Sequence, residues 1–84
     1  MRIIFLDKGW EDFVYWQAAD KRRFKKLKQL IEDCCRSPYE GLGKPEPLKA
    51  NLTGFWSRRI DEEHRLVYRM DDNDLIIAQC RGHY

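Results

Sequence analysis

The sequence predicts an α+β fold in which two N-terminal helices pack on one face of a small, mostly antiparallel sheet, in the order β-α-α-β-β-β(-β). Three observations predict it. The β-branched run 2–6 is typical of a strand. Two stripes of apolar residues with helical spacing follow before residue 37. The remaining chain consists of short apolar segments separated by turns. The length of 84 residues and the 43% hydrophobic content suit one small domain, expected to span residues 1–84.

The helical segment divides into two helices. Asp7 is expected to cap the first helix, which begins near Gly9 and buries one face marked by i, i+3, i+4 spacing. Its members are Trp10, Phe13 and Val14. The second helix is expected to run from about Asp20 to Arg36, with a longer apolar stripe. That stripe consists of Phe24, Leu27, Leu30, Ile31 and Cys34. The Pro- and Gly-rich segment SPYEGLGKPEP (37–47) ends it.

The C-terminal half of the chain is predicted to form strands. Segments 55–60 and 64–70 flank a DEE turn and form an antiparallel hairpin, and 74–80 follows the DDND turn as the last strand. Alternation places Leu66 and Tyr68 toward the helices. It places four cationic or titratable side chains on the opposite, uncovered face. These are Arg59, Arg65, Arg81 and His83.

Composition narrows the classes of function. The net charge is only +2, but six cations lie within residues 21–28. Three cysteines (Cys34, Cys35 and Cys80) make an odd number, which favours reduced thiols in a cytoplasmic protein. The two histidines are distant and there is no CxxC motif, so neither a metal site nor a cofactor is expected. No apolar run suits a signal peptide or a membrane span.

A cationic sheet face suits phosphate, because the arginine fork matches phosphate oxygens and stays charged. Its expected cations are Lys49, Arg59, Arg65 and Arg81. RNA carries its own nucleophile, the 2′-hydroxyl. Cleavage without metal therefore needs a base for that proton, an acid for the leaving 5′-oxygen, and cations for the phosphate.

Two residues suit the acid and base roles. His83 has the side chain whose ordinary pKa lies nearest working pH. Glu46 lies between Pro45 and Pro47, which restrict its backbone and aim its side chain. An exposed loop glutamate and a solvated terminal histidine explain the same residues without any catalysis. His64, after the DEE turn, suits a structural hydrogen bond better than a catalytic role.

One block of sequence resembles a known family. The stretch GKPEPLKANLTGFWSRRIDEEHRLVY (43–68), followed by the terminal CRGHY (80–84), is similar to the YoeB (Txe/YoeB) toxins of the RelE superfamily, and the similarity extends from WEDFVYW (10–16) to the end. The resemblance implies a RelE-like fold. It also implies a metal-independent endoribonuclease of a type II toxin–antitoxin system. Such a toxin cleaves mRNA in the 30S A site of the ribosome and is silenced by a YefM-like antitoxin.

The resemblance also implies residue roles. Glu46 would be the general base, Arg65 the cation at the phosphate, His83 the general acid, and Tyr84 the terminal residue that orients the substrate. Lys49 and Arg59 would be supporting phosphate contacts. The cations of the second helix would meet ribosomal RNA: Lys21, Arg22, Arg23, Lys25, Lys26 and Lys28. Ala50 and Gly82 stand where larger residues also occur in the family.

Two other functions fit the same fold. A ParE-like gyrase inhibitor is disfavoured because such proteins lack the combination of Glu46, Arg65 and His83 with a His-Tyr terminus. A ribosome-binding protein that blocks translation without cleavage stays open, since a basic face serves either purpose. Codon preference, the identity of the antitoxin and the oligomeric state are left open, with a homodimer among the alternatives.

Overall fold

The computed structural model describes residues 1–83 and confirms the predicted order of elements. These are β1 (Ile3–Phe5), α1 (Asp7–Ala19), α2 (Lys21–Arg36), β2 (Glu46–Pro47), β3 (Trp56–Arg59), β4 (Arg65–Asp71) and β5 (Asp74–Gln79). A single 3-10 turn, Ala50–Leu52, lies between β2 and β3. The optional fourth strand of the C-terminal half is therefore present, as the two-residue strand β2.

The five strands form one sheet in the order β1-β5-β4-β3-β2. Strands β2 to β5 pair in an antiparallel manner, and β1 pairs in parallel with β5, so the sheet is mostly antiparallel as predicted. The predicted hairpin is β3 and β4, in which Arg59 lies opposite Arg65. A register shift near Val67 interrupts the pairing of β4 with β5. It is the kind of irregularity that bends a strand and re-aims its side chains.

Helix α2 follows the sequence prediction closely. Asp20 is its N-cap, and the Asp20 side chain accepts a hydrogen bond from the backbone N–H of Arg23. Four members of its predicted stripe are fully or almost fully buried, and the fifth, Phe24, packs against them. Leu66 and Tyr68 of β4 are buried in the same core cluster, which confirms the predicted helix-covered face.

Helix α1 differs from the prediction in its start and its buried face. Leu6 is the N-cap, without a side-chain hydrogen bond, and Asp7 lies inside the first turn. Trp10 is 56% exposed and Val14 41% exposed. The buried positions are instead Gly9, Asp12 and Trp16.

The physical reason is a close approach of α1 to β5. A Cβ at Gly9 would lie 2.5 Å from the carbonyl oxygen of Ile77, so only glycine fits there. The side of α1 that carries Gly9 therefore faces the sheet. Trp10 and Phe13 instead join Phe5 and Phe24 in an aromatic cluster at the edge of the core. The apolar pattern of α1 therefore predicts this aromatic cluster, but it does not predict the closest contact of the helix, which Gly9 makes with Ile77 of β5.

The interior also contains an arginine, which the apolar pattern of the sequence does not reveal. The Arg58 side chain is 0% exposed and forms an ion pair with Asp33 (2.5 Å). It also donates to the Tyr68 hydroxyl (3.1 Å) and to three carbonyl oxygens of the loop after α2. These are the carbonyls of Ser37, Glu40 and Leu42. Arg58 thus fixes the loop that leads into β2.

No helix within residues 1–83 is long and apolar enough to cross a membrane.

Candidate active site at the β2–β4 end of the sheet

Glu46 is presented by β2, the short strand at one edge of the sheet. In the antiparallel pairing, Glu46 lies opposite Ser57 of β3, and Pro47 lies opposite Trp56. Because directly opposed residues share a face, Glu46 lies on the face away from the helices, together with Ser57. Its side chain remains 54% exposed. The Pro-Glu-Pro segment is therefore an edge strand, a place where proline is tolerated.

Arg65 lies next to Glu46 across the sheet. One guanidinium nitrogen, Nη1, lies 3.4 Å from Glu46 Oε1, which is a long hydrogen bond and an ion pair. The Arg65 side chain is only 11% exposed, which corrects the expectation that it is an exposed arginine. Its Nε is buried and has no hydrogen-bond partner within residues 1–83. A covered guanidinium with an unused donor suits an anionic ligand.

Within residues 1–83, the backbone groups of Cys80 and Gly82 form four hydrogen bonds that hold the segment after β5 against the sheet and α1. At Cys80, the backbone N–H donates to Asp12 Oδ2 (3.0 Å) and the carbonyl accepts from Trp16 Nε1 (2.8 Å). At Gly82, the N–H donates to His64 Nδ1 (2.8 Å) and the carbonyl accepts from the N–H of Arg65 (3.1 Å). We call this set of bonds the tail clamp.

The tail clamp brings His83 to the candidate site. Since Gly82 is bonded to the backbone of Arg65, the residue that follows it lies close to the start of β4. His83 is exposed. Gly82 has φ +82°, a left-handed conformation that glycine adopts without strain. Tyr84, expected to orient the substrate, lies outside the described residues.

Two of the expected supporting cations, Arg59 and Lys49, lie in β3 and shortly after β2. Arg59 is exposed and lies directly opposite Arg65 in the sheet. Lys49 is exposed and immediately precedes the 3-10 turn. Ala50, the first residue of that turn, has φ +57°, in the region that side chains other than Asn and Asp seldom adopt. Both cations therefore lie in or near β2 and β3.

Arg81 is not on the predicted face. Its guanidinium carbon lies 3.6 Å from the ring centroid of Tyr15, a residue of α1, so it stacks on the helix side of the tail. The prediction was wrong because β5 ends at Gln79, and alternation no longer sorts the side chains beyond that residue.

The predicted uncovered face is also less open than expected. Ser57 is 0% exposed and Val67 is 2% exposed, although both lie on the face away from the helices. Strands β3 and β4 are interior strands, so their side chains are flanked by neighbouring strands on both sides. The candidate site is therefore a limited region around Glu46, Arg59 and Arg65, and not the whole face.

The cations of α2 differ in their contacts. Arg23 is bonded to Asp20 and Asp61, each at 2.5 Å, and Lys28 lies over the ring of Phe24. Lys21, Arg22 and Lys25 are exposed. Arg23 and Lys28 therefore have structural partners within the chain.

His64 and the cysteines have structural surroundings. The His64 ring is 13% exposed and packs edge-on against Trp16 at a centroid distance of 4.7 Å, as expected of a hydrogen-bonding residue. Burial raises the pKa of the Cys34 thiol to about 11 and that of Cys80 to about 12. These two thiols are therefore protonated, unreactive groups of the core.

Metal ligands are not grouped in the described part of the chain. Within residues 1–83, no three side chains of His, Cys, Asp or Glu lie close enough together to hold an ion. The residues at the candidate site are a carboxylate, guanidinium groups and an imidazole. That set is suited to proton transfer and to binding an anion.

Sequence reasoning missed Asp12 and Trp16 as members of the tail clamp. Asp12 is 1% exposed, accepts from Lys8 (2.5 Å) and holds Cys80. The predicted buried face of this helix did not include Asp12, so the apolar pattern gave no signal for it.

The family model for the YoeB-like toxin of bacterial type II toxin–antitoxin systems matches residues 5–84. The chain belongs to the YoeB-like toxin family. It is 60% identical to Toxin YoeB of Escherichia coli (strain K12) over 84 residues, with both chains fully covered. The YoeB/ParE toxin from Agrobacterium tumefaciens superposes with a TM-score of 0.95 at 45% identity, again with full coverage of both chains.

YoeB from Staphylococcus aureus has been solved as a YoeB–YefM complex and as a dimer. Each has a TM-score of 0.92 and covers 100% of this chain and 98% of the solved one, at 48% and 49% identity respectively. The RelE-like architecture expected from the sequence is therefore confirmed. This YoeB-like chain is a toxin of a type II toxin–antitoxin system.

Proposed function

We propose that this YoeB-like toxin is a ribosome-dependent endoribonuclease that cleaves mRNA in the A site and thereby stops translation. The observation that carries the proposal is the grouping of Glu46 with Arg65 (3.4 Å), next to a tail whose following residue is His83. A base, a phosphate-binding cation and an acid are the three groups that cleavage at a 2′-hydroxyl needs.

The proposed reaction is an internal transesterification. Glu46 takes the proton of the 2′-hydroxyl, and the 2′-oxygen attacks the adjacent phosphorus. The P–O5′ bond breaks as His83 gives a proton to the leaving oxygen. The products are a 2′,3′-cyclic phosphate and a new 5′-hydroxyl end. No metal or other cofactor enters this balance.

The surrounding residues hold the charge. Arg65 is the group that stabilises the phosphorane, because it is largely covered and its Nε is an unused donor within residues 1–83. Arg59 and Lys49 are supporting phosphate contacts. Tyr84 is proposed to orient the substrate. Arg81 acts at most from the α1 side, where it stacks on Tyr15.

Ribosome binding is assigned to the cationic surface of α2. Among the six cations predicted to act there, the exposed Lys21, Arg22 and Lys25 are the best candidates, because Arg23 and Lys28 have partners within the chain. A small protein has little surface with which to order a flexible mRNA, so the A site must supply much of the positioning. Cleavage of free RNA is therefore expected to be slow.

A YefM-like antitoxin is the proposed partner, because YoeB from Staphylococcus aureus has been solved in complex with YefM. A homodimer is a second proposed assembly, by the same comparison. Both the ribosome and a newly made antitoxin are found in the cytoplasm, which is the proposed location.

The test compares ribosome-bound with free mRNA, for the parent and for His83→Gln. The parent is expected to produce new 5′-hydroxyl ends rapidly on ribosome-bound mRNA alone. His83→Gln should bind ribosomes but cleave about 10²–10⁴-fold more slowly, since it lacks the general acid. Equal rates on free and bound mRNA would contradict ribosome dependence.

Two further measurements, of translation and of DNA supercoiling by gyrase, distinguish the other two functions. Translation arrest without any cut mRNA would identify a blocking protein. Loss of DNA supercoiling by gyrase, with intact mRNA, would identify a ParE-like inhibitor. Arg36→Ala removes an exposed charge that is not among the cations assigned to the ribosome, and serves as a control for general loss of charge.

A further inference from the structure

The three side chains of the tail clamp hold it at two different positions. Asp12 and Trp16 hold Cys80, which is three residues before His83. His64 holds Gly82, which is directly before His83. Movement at Gly82 is therefore transmitted to His83 with no intervening residue, whereas movement at Cys80 is separated from it by Arg81 and Gly82.

The bond to Gly82 requires a particular state of His64. The N–H of Gly82 is the donor and Nδ1 is the acceptor, at 2.8 Å. Nδ1 must therefore carry no proton, and the proton of the neutral ring lies on Nε2. Nε2 is 3.8 Å from a carboxylate oxygen of Glu63.

The ring of His64 is also fixed in orientation. It packs edge-on against Trp16 at 4.7 Å, and Trp16 itself donates to the carbonyl of Cys80. The backbone N–H of His64 donates to Asp61 Oδ1 (2.7 Å), and Asp61 is bonded to Arg23 of α2. The position of Nδ1 is therefore determined by α1, α2 and the β3–β4 turn together.

We propose that His64 is a positioning residue for the cleavage reaction, acting through the Gly82 N–H to hold the proposed general acid His83 beside Arg65. This inference rests on the proposed function for its effect on rate, but the bond itself is testable without any activity. His64 touches neither substrate nor reacting atoms in this role.

Gly82 makes the bond effective. Its φ of +82° turns the chain sharply, and its carbonyl accepts from the Arg65 N–H while its N–H donates to His64. One peptide unit on each side of Gly82 is thus fixed. If the His64 bond is lost, the backbone bond to Arg65 is the one that residues 1–83 still provide at Gly82, and we expect the position of His83 to change.

The first experiment is a measurement of scalar coupling across the hydrogen bond in the unmodified protein labelled with ¹⁵N. A resolved coupling between the Gly82 amide nitrogen and His64 Nδ1, with slow amide exchange at Gly82, is expected. Absence of that coupling together with fast exchange at Gly82 would overturn the proposal whatever the activity.

The second experiment compares two amide variants of His64. In His64→Asn, the side-chain oxygen replaces Nδ1 as acceptor, whereas His64→Gln places its amide near Nε2 and leaves Gly82 without that partner. We expect His64→Asn to retain Gly82 protection and kcat. We expect His64→Gln to lose the protection and to have kcat about 10²-fold lower at unchanged KM, the cost of displacing a reacting group.

Thermal melting of both variants separates positioning from general damage. Equal Tm values with different kcat values support the proposal. A parent-like kcat for His64→Gln, or an equally slow His64→Asn of equal Tm, would overturn it. If the parent itself fails to cut ribosome-bound mRNA, the proposed function is wrong, while the coupling and the exchange data still decide whether His64 holds the tail.

Discussion

Arg65 is largely covered, although its partner Glu46 is more than half exposed. An exposed ion pair of this length contributes about 0–1 kcal/mol. A guanidinium nitrogen that is buried without a partner among residues 1–83 costs free energy of similar or larger size. The two effects oppose each other, so stability alone gives little reason to keep arginine here. A role toward an anionic ligand gives such a reason.

Replacing Arg65 with alanine should therefore lower kcat about 10²–10³-fold and change Tm little, because it removes charge stabilisation in the transition state. Arg65→Lys should restore little, since an ammonium group lacks the planar fork. Cleavage rates on ribosome-bound mRNA are the measurement. Arg69→Ala, on the same strand and facing Phe55, is the matched control and should keep the parent kcat. A parent-like rate for Arg65→Ala would remove Arg65 from the mechanism.

The individual residues also show what sequence could predict. Glu46, Arg65 and His83 were identifiable as candidates, and Glu46 and Arg65 do lie together. Arg58 was not identified as a buried residue, because a charged side chain is almost never fully buried without a partner, and the sequence does not show that partner. Only the tertiary contact with Asp33 explains its burial. Arg81 was misplaced because the end of a strand is less certain than its existence.

At the scale of elements, Arg58 connects β3 to the loop between α2 and β2. Within residues 1–83, its guanidinium donates five hydrogen bonds, which go to Asp33 of α2, to three carbonyl groups of the loop and to the Tyr68 hydroxyl of β4. This loop carries the chain toward Glu46. The position of the proposed base therefore depends on an ion pair that lies on the opposite, helix-covered side of the sheet.

Arg58→Met should destabilise the fold by about 3–5 kcal/mol, because it leaves a buried carboxylate and several carbonyl groups without their partner. Urea denaturation measures this change. Arg36→Ala is the control: Arg36 also binds Asp33, but its side chain is 75% exposed, so a loss below about 1 kcal/mol is expected. Equal losses in the free energy of unfolding for the two substitutions would show that the buried ion pair of Arg58 stabilises the fold no more than an exposed pair does.

Because Asp33 is held by Arg58 and other donors, the free energy of unfolding is expected to depend on pH. The Arg36 guanidinium, the N–H of Leu42 and the Arg58 guanidinium hold the pKa of Asp33 well below its usual range. The unfolded chain therefore takes up this proton first as pH falls. The stabilisation is complete above the ordinary pKa of about 4 and is lost progressively below it.

Urea midpoints between pH 7 and pH 3 should fall steeply for the parent and less steeply for Asp33→Asn, which has no carboxylate to protonate at that position. Asp72→Asn, in the exposed turn before β5, is the control and should keep the parent slope. An unchanged slope for Asp33→Asn would mean that other carboxylates determine the acid sensitivity.

The order of the helices and strands could be predicted from the sequence, but the side that each helix buries could be predicted for α2 only. The order of helices and strands and the stripe of α2 followed from local periodicity. The buried face of α1 did not, because it is set by the contact of Gly9 with Ile77. Such a contact joins residues far apart in the chain, and no local pattern reports it.

At the scale of the whole molecule, the proposed reaction depends on side chains alone. Activity on ribosome-bound mRNA is therefore expected to survive removal of divalent ions from the toxin by EDTA, followed by assay with ribosomes in their own Mg²⁺. The described residues contain no grouping of three metal-binding side chains. A purified protein with one tightly bound metal ion per chain, whose removal abolished cleavage, would contradict this expectation.

The pairing of β1 with β5 has a consequence for how the toxin is made. The first strand has no partner until residues 74–79 are synthesised, and the tail clamp ties residues 80–82 to α1 and to β4. Contacts between such distant parts of the chain form late. The nascent chain therefore lacks its complete sheet until residues 74–79 have been synthesised, and the sheet is completed late in folding.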